Sequence, residues 1–206
     1  MNNTTDKNIN SKKRTTRTRR SPEESRRNIL DASERLLVGQ GPQSLRLADV
    51  AKEAGVVNAT VLHHFGSIED VHSALMERMI ADLVGKILSQ DMPSDQPVQR
   101  GFAFPHLIEA FQDKGAARLA AWLELSDQSQ RMTVVREAVN KVIHEKIRPL
   151  SLPQDRVEDI ILISIILALG LGLFGTSLEG LLDRPEGTAR DMATELLISA
   201  TEDLTK

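Results

Sequence analysis

Leu47-Ala48-Asp49-Val50-Ala51-Lys52-Glu53-Ala54, then Gly55-Val56-Val57, then Asn58-Ala59-Thr60-Val61-Leu62-His63-His64-Phe65 is the stretch that decides the fold. Leu47, Val50, Ala51 and Ala54 recur at the three- and four-residue spacing of one helical face, which predicts a short helix over about 47–54. Gly55 breaks it, and a third short helix is expected near Val57 to His64. Two short helices joined by a tight turn containing glycine make a helix-turn-helix.

Toward the N-terminus the same periodicity continues. Ser21 is a fair N-cap, Pro22 fits the first helical position, and Glu23 and Glu24 suit the positive end of a helix. Ile29, Ala32, Leu36 and Leu37 share a face, and Gly39 and Gly41 end this first helix. Residues 1–20 carry seven Lys or Arg against Asp6 alone, with almost nothing to bury, so they are expected to form a disordered basic arm. Such an arm binds phosphate or tracks a minor groove, with Arg17, Arg19 and Arg20 as its candidates.

Toward the C-terminus, Phe65, Gly66 and Ser67 close the third helix, and Ser67 opens a long fourth one through Val71, Leu75, Met79, Leu83 and Ile87. Gln90 to Pro97 reads as a loop. Further helices are expected over about 105–112, 116–125, 134–147, 155–182 and 187–204, punctuated by Pro149, Pro153 and Pro185. Sustained alternation with period two is absent, so the fold class is all-α. The expected organisation is an arm at 1–20, a three-helix helix-turn-helix domain at 21–66, and a larger helical domain for effector binding and dimerisation at 67–206.

Composition narrows the function. The 206 residues include no cysteine, which excludes a disulfide framework, a thiolate nucleophile and a sulfur-ligated metal, and fits a reducing cytoplasm. The first twenty residues lack an apolar core, so no secretory signal is expected there. The net charge of −3 hides an asymmetry. Residues 1–66 hold 12 Lys/Arg against 7 Asp/Glu, leaving 14 against 22 for the remainder, a basic end facing nucleic acid and an acidic body.

Arg26, Ile29, Leu30, Asp31, Ala32, Leu36, Leu37, Gly41, the run Leu47 to Val56, and Thr60, His63, Phe65, Gly66, Ser67, Glu69 and Asp70 together resemble the N-terminal domain of the TetR family of transcriptional regulators. The resemblance implies a DNA-binding head, a helical body with a small-molecule effector site, and a homodimer that usually acts as a repressor on double-stranded operator DNA. It places Thr60 and His63 against bases or phosphates, Arg26 near the phosphate backbone, and Phe65 in the core. The residues agree physically. Asn58, Ala59 and Thr60 are short enough for a helix start to approach base edges, Asn pairs with adenine, and a Thr methyl meets thymine. Val57, His64 and Arg46 complete the candidate DNA-binding set. Four positions depart from the family pattern: Leu62 replaces a usual Tyr, Ile68 a usual Lys, Val57 a usual polar opener and Arg46 a usual capping Ser or Thr. Leu62 and Ile68 remove phosphate donors, a loss of about thirtyfold in affinity at about 1 kcal/mol each, for which the basic arm is the expected compensation. A head degraded at these positions would leave a protein-interaction module, the alternative function.

Three features remain. Gly170-Leu171-Gly172-Leu173-Phe174-Gly175 spells GxGxxG, but the motif has chemical meaning only at a strand-to-helix turn, so these are read as helix-packing glycines. Ile160 to Gly175 holds Ser164 as its sole polar residue. It approaches the length of a membrane span, yet flanking acids, glycines and the lack of a Trp or Tyr belt favour a buried helix and no membrane. By the resemblance, the last two long helices pair across a twofold axis, with Ile161, Ile165, Leu169, Leu173, Leu196 and Leu197 as candidate dimer-interface residues. Phe102, Phe104, His106, Phe111 and Trp122 are candidates for an apolar effector pocket. No HExxH, GxSxG or phosphate loop occurs, so neither enzyme activity, a metal nor a cofactor is expected.

Overall fold

A computed structural model describes residues 21–90, 103–126, 133–147 and 154–202, and among these the regular structure is entirely helical. Helix α1 spans Pro22–Gln40, α2 Leu47–Ala54, α3 Asn58–Phe65 and α4 Ile68–Ser89. Then follow α5, Phe104–Ile108, α6, Ala116–Leu125, α7, Thr133–Val142, α8, Gln154–Gly170, α9, Thr176–Leu181, and α10, Thr188–Glu202. Single π turns continue α5 over Glu109–Asp113, α7 over Ile143–Ile147, and α8 over Leu171–Gly175 into α9. The basic arm lies outside the described residues.

The head is fixed by its caps. The Ser21 hydroxyl accepts from the Glu24 amide at 3.1 Å while the Glu24 carboxylate accepts from the Ser21 amide at 2.8 Å, a reciprocal capping box with Pro22 at the first position. Gly55, at φ +67°, ends α2 in the left-handed region, which turns the chain sharply enough to start α3 three residues on. Val57 is extended rather than helical, so α3 begins at Asn58 and runs through Phe65, one residue later at each end than the periodicity suggested. The Ser67 hydroxyl accepts from the Asp70 amide at 3.1 Å and starts α4.

One continuous core runs through the chain. Ile29, Leu37, Val50, Val61, Val71 and Leu75 are buried in the head, and Leu83, Ile108, Phe111, Leu119, Leu123, Ala168 and Leu197 carry the cluster into the body. Helix α4 is common to both ends. The sequence pattern suggested a single helix from 155 to 182, and the structure inserts the wide turn at 171–175 into it. That turn packs against the π turn after α5. A side chain at Gly172 would meet the Ala117 Cβ at 2.6 Å and the Phe111 carbonyl oxygen at 2.7 Å, so two backbones approach there as only glycine permits. No strand precedes the GxGxxG glycines among the described residues, and the dinucleotide-binding context is absent there.

Candidate nucleic-acid interface

The three-helix head is tied together by long-range contacts. The Arg26 guanidinium donates to the His64 carbonyl at 3.0 Å and lies 4.1 Å from the centre of the Phe65 ring, which ties α1 to the last turn of α3 by a hydrogen bond and a cation–π contact. The Asn28 amide donates to the Ala54 carbonyl at 2.8 Å and closes the C-terminal end of α2. The His72 imidazole Nε2 is paired with the Leu45 carbonyl at 2.9 Å, linking α4 to the turn before α2. Arg35 and Glu53 add an exposed ion pair at 2.7 Å.

With Val61 and Phe65 turned into the core, α3 presents Asn58, Ala59, Leu62 and His63 to solvent, with Val57 exposed before it and Thr60 and His64 partly covered. His63 and His64 have ring centroids 5.4 Å apart at 65°. Arg46 is exposed at the N-terminus of α2 and makes no side-chain capping bond. Arg26, expected near phosphate, is engaged in holding α3. Ile68, where the family pattern has a Lys, packs against the core and so serves the fold. Arg17, Arg19 and Arg20 lie outside the described residues.

Behind the head, Arg78 on α4 reaches back to α1. Its guanidinium donates to Asp31 Oδ1 at 2.6 Å, Glu34 Oε2 at 2.5 Å and the Leu30 carbonyl at 3.0 Å. Arg118 on α6 donates to the Val38 carbonyl at 3.2 Å, so the body also grips the far end of α1. Nearby, a cleft opens between α1, α4 and the α5 segment, lined among others by Glu34, Asp82, Lys86, His106 and Glu109. Lys86 donates to the Glu109 carboxylate, and that bond, with the positive charges of Lys86, Lys114 and His106, holds Glu109 below the usual carboxylate value against the opposing effect of burial.

The effector candidates fall in different surroundings among the described residues. Phe104 and Phe111 are core residues, Trp122 is exposed on α6, and only His106 lines the cleft, with its Nε2 lacking a hydrogen-bond partner. Phe102 lies outside the described residues. The dimer candidates divide between core and surface. Leu197 is 2% exposed and belongs to the protomer's own core, while Ile165, Leu169 and Leu173 pack against that core from one side. Ile161 is half-buried and Leu196 is exposed. The large apolar side chains left to solvent in this region are Leu162, Ile163 and Ile166 on α8, Phe174 in the π turn, Leu178, Leu181 and Leu182 on and just after α9, and Met192 and Leu196 on α10. The stretch Asp155–Leu181 is long and apolar enough to cross a membrane by length and composition. Two features tie it to the body. Gly172 is wedged against α6 and the α5 segment, and the buried Glu179 carboxylate accepts from the Ala189 amide at 2.8 Å near the start of α10.

The sequence profile described as "Bacterial regulatory proteins, tetR family" matches residues 29–75, which span α1 from its second turn to the first turns of α4. The match to the TetR family model is confined to this N-terminal segment. It is similar to the HTH-type transcriptional regulator BetI of Rhizobium meliloti (strain 1021), at 26% identity over 54% of this chain and 55% of the relative, and to BetI of Agrobacterium fabrum (strain C58), at 26% identity over 52% of each. The chain thus spans about half the length of the curated relatives it matches. Among solved structures it shares the fold of the multidrug binding protein EbrR complexed with imidazole, with a TM-score of 0.60, 19% identity, and 87% and 90% of the two chains covered. A chain from Shewanella sp. PV-4 assigned to the tetR family gives a TM-score of 0.52 at 17% identity, covering 85% of this chain and 97% of that one. Within the TetR frame, Asn28, His72 and Arg78 are the contributors that sequence reasoning missed, because their partners lie 26 to 48 residues away and leave no local signal.

Proposed function

We propose that this protein is a TetR-family regulator, a cytoplasmic, homodimeric repressor that binds a pseudo-palindromic operator through α3 and is released by a small hydrophobic effector. The observation carrying the DNA-binding part is the face of α3: Asn58, Ala59, Leu62 and His63 are exposed on a helix whose other side is held by Arg26 and the buried Val61 and Phe65. A helix anchored by its last turn and its buried face, with short residues first, suits entry into a major groove. Arg46, Val57, Thr60 and His64 border that face, and Arg17, Arg19 and Arg20 would supply phosphate contacts that α3, without Lys or Arg, does not offer.

The dimer is supported by the apolar side chains of α8, α9 and α10 left to solvent, more than a monomer ordinarily exposes in one place. A second copy covers them economically, since a twofold axis lets the same residues meet themselves. Release by effector follows from α4, which passes from the head into the body and is cross-linked to α1 by Arg78, so a displacement near Leu83 and Lys86 turns the head with it. EbrR, which shares the fold, is described as a multidrug binding protein complexed with imidazole, which supports a small-molecule effector here.

Selection of bound duplexes from a random pool tests the reading. A palindromic consensus bound on the order of a thousandfold more tightly than a scrambled duplex is expected. Weak, steeply salt-dependent binding that ignores sequence would replace it with the interaction-module reading. Sedimentation of wild type and Ile166→Asp tests the assembly: a dimer that becomes a monomer supports it, while wild type recovered with the membrane fraction refutes it.

A further inference from the structure

Helix α3 is chemically unusual for a surface that meets a polyanion: none of its eight residues is Lys or Arg. Beside the polar Asn58 and His63 it exposes apolar side chains. Val57 at its start is 67% exposed and Leu62 is 40% exposed, and Ala59 lies on the same outward face. Among the described residues from 21 to 66, Val38 is the only other large apolar side chain left to solvent. Leu62 lies one turn beyond Asn58, so the two stand side by side where the helix meets its ligand. An isolated exposed Leu needs no explanation. Leu62 on the helix and Val57 just before it give the exposed surface two apolar contact points with a definite chemical preference.

The major-groove edge of each base pair carries donors, acceptors and, for thymine alone, an apolar group, the C5-methyl. We propose that this protein reads its half-site through thymine C5-methyl groups seated against Leu62 and Val57, with Leu62 as a specificity-determining residue. The inference rests on the operator-binding reading above. It adds that bases are discriminated by removing apolar surface from water at Leu62 and Val57, while Asn58 and His63 supply the polar contacts between them.

The test begins with the duplex selected from the random pool and replaces its thymines by deoxyuridine, one symmetric pair at a time, reading affinity by fluorescence anisotropy. At one or two positions per half-site, removing the methyl lowers affinity about fourfold for each methyl, and so about fifteenfold for a pair bound by two heads. Leu62→Ala brings the thymine-to-deoxyuridine ratio at one of those positions close to one. Because Leu62 is largely outside the core, the variant melts with wild type, which separates lost recognition from lost folding. If every thymine can be replaced without effect while the consensus still outcompetes the scramble, methyl readout is overturned and operator binding stands. A methyl effect that Leu62→Ala and Val57→Ser both leave unchanged overturns the assignment to these residues. A pool that yields no consensus overturns both readings, and capture of a protein partner by the same face would then explain its apolar character.

Discussion

Replacing Gly172 by Ala places a methyl group where the backbone of one helical segment touches another. The new Cβ would lie 2.6 Å from the Ala117 Cβ and 2.7 Å from the Phe111 carbonyl oxygen, about 1 Å inside ordinary carbon contact. Neither neighbour can rotate away, since one is a methyl fixed to a helix and the other is main chain. The π turn at 171–175 must therefore back off, and overpacking of this kind costs about 2 to 3 kcal/mol. For a chain of this size that lowers Tm by about 6 to 9 °C, read by the far-ultraviolet circular dichroism melt. Gly85→Ala provides the opposite control. Gly85 lies exposed in the middle of α4 with nothing within 4 Å of an added Cβ, so alanine should raise stability by about 0.5 to 1 kcal/mol. If Gly172→Ala melts within a degree of wild type, or no lower than Gly85→Ala, the close approach of the two segments is wrong. A rise in Tm on adding a nicotinamide dinucleotide would revive the reading of GxGxxG that the fold disfavours.

Arg78→Met removes three hydrogen bonds and strands the Asp31 and Glu34 carboxylates beside each other. Because both acids are partly solvated, the expected loss is about 2 kcal/mol in urea unfolding, and a loss below about 0.5 would show that α1 and α4 do not depend on the link. Glu109 is acidified in the fold chiefly by Lys86, and a carboxyl whose folded pKa lies below its unfolded one of about 4.3 stabilises above that pH and loses its contribution as pH falls through the folded value. The stability gap between wild type and Lys86→Met should therefore close between about pH 5 and pH 3; a gap that stays constant through that range contradicts the pairing. Arg26→Ala should cost about 1 kcal/mol through the lost contacts with His64 and Phe65. It should also leave the slope of log affinity against log salt unchanged, whereas a phosphate contact would reduce that slope by about one.

Local chemistry was legible in the sequence, and contact chemistry was not. The ends of α2 follow from Gly55 and the inward spacing of Leu47, Val50, Ala51 and Ala54, and the start of α1 from Ser21, Pro22 and Glu24, because each signal lies within a few residues of its effect. Arg26 was singled out as a basic residue near DNA, yet its role as the clamp on α3 depends on Phe65, 39 positions away. Phe104 and Phe111 are large and apolar, a description that fits a core residue and a pocket wall equally, and their burial comes from packing with α6 and α8, which no local signal in the sequence shows. Leu196 and Leu197 are neighbours of one type, but 100° of helical rotation sends one outward and one into the core.

That same rotation gives the π turn at 171–175 a role in the chain's outer surface. On an uninterrupted helix, Phe174, Leu178 and Leu181 would point on average about 100° away from Leu162 and Ile166. One residue accommodated in a wide turn sets the downstream helix back by roughly that amount, and returns the two groups to a common side. The turn works as a phase corrector. Two apolar stripes that the sequence writes out of register are brought into line by a single extra residue, and deleting one residue between 171 and 175 would break the face without removing one of its leucines.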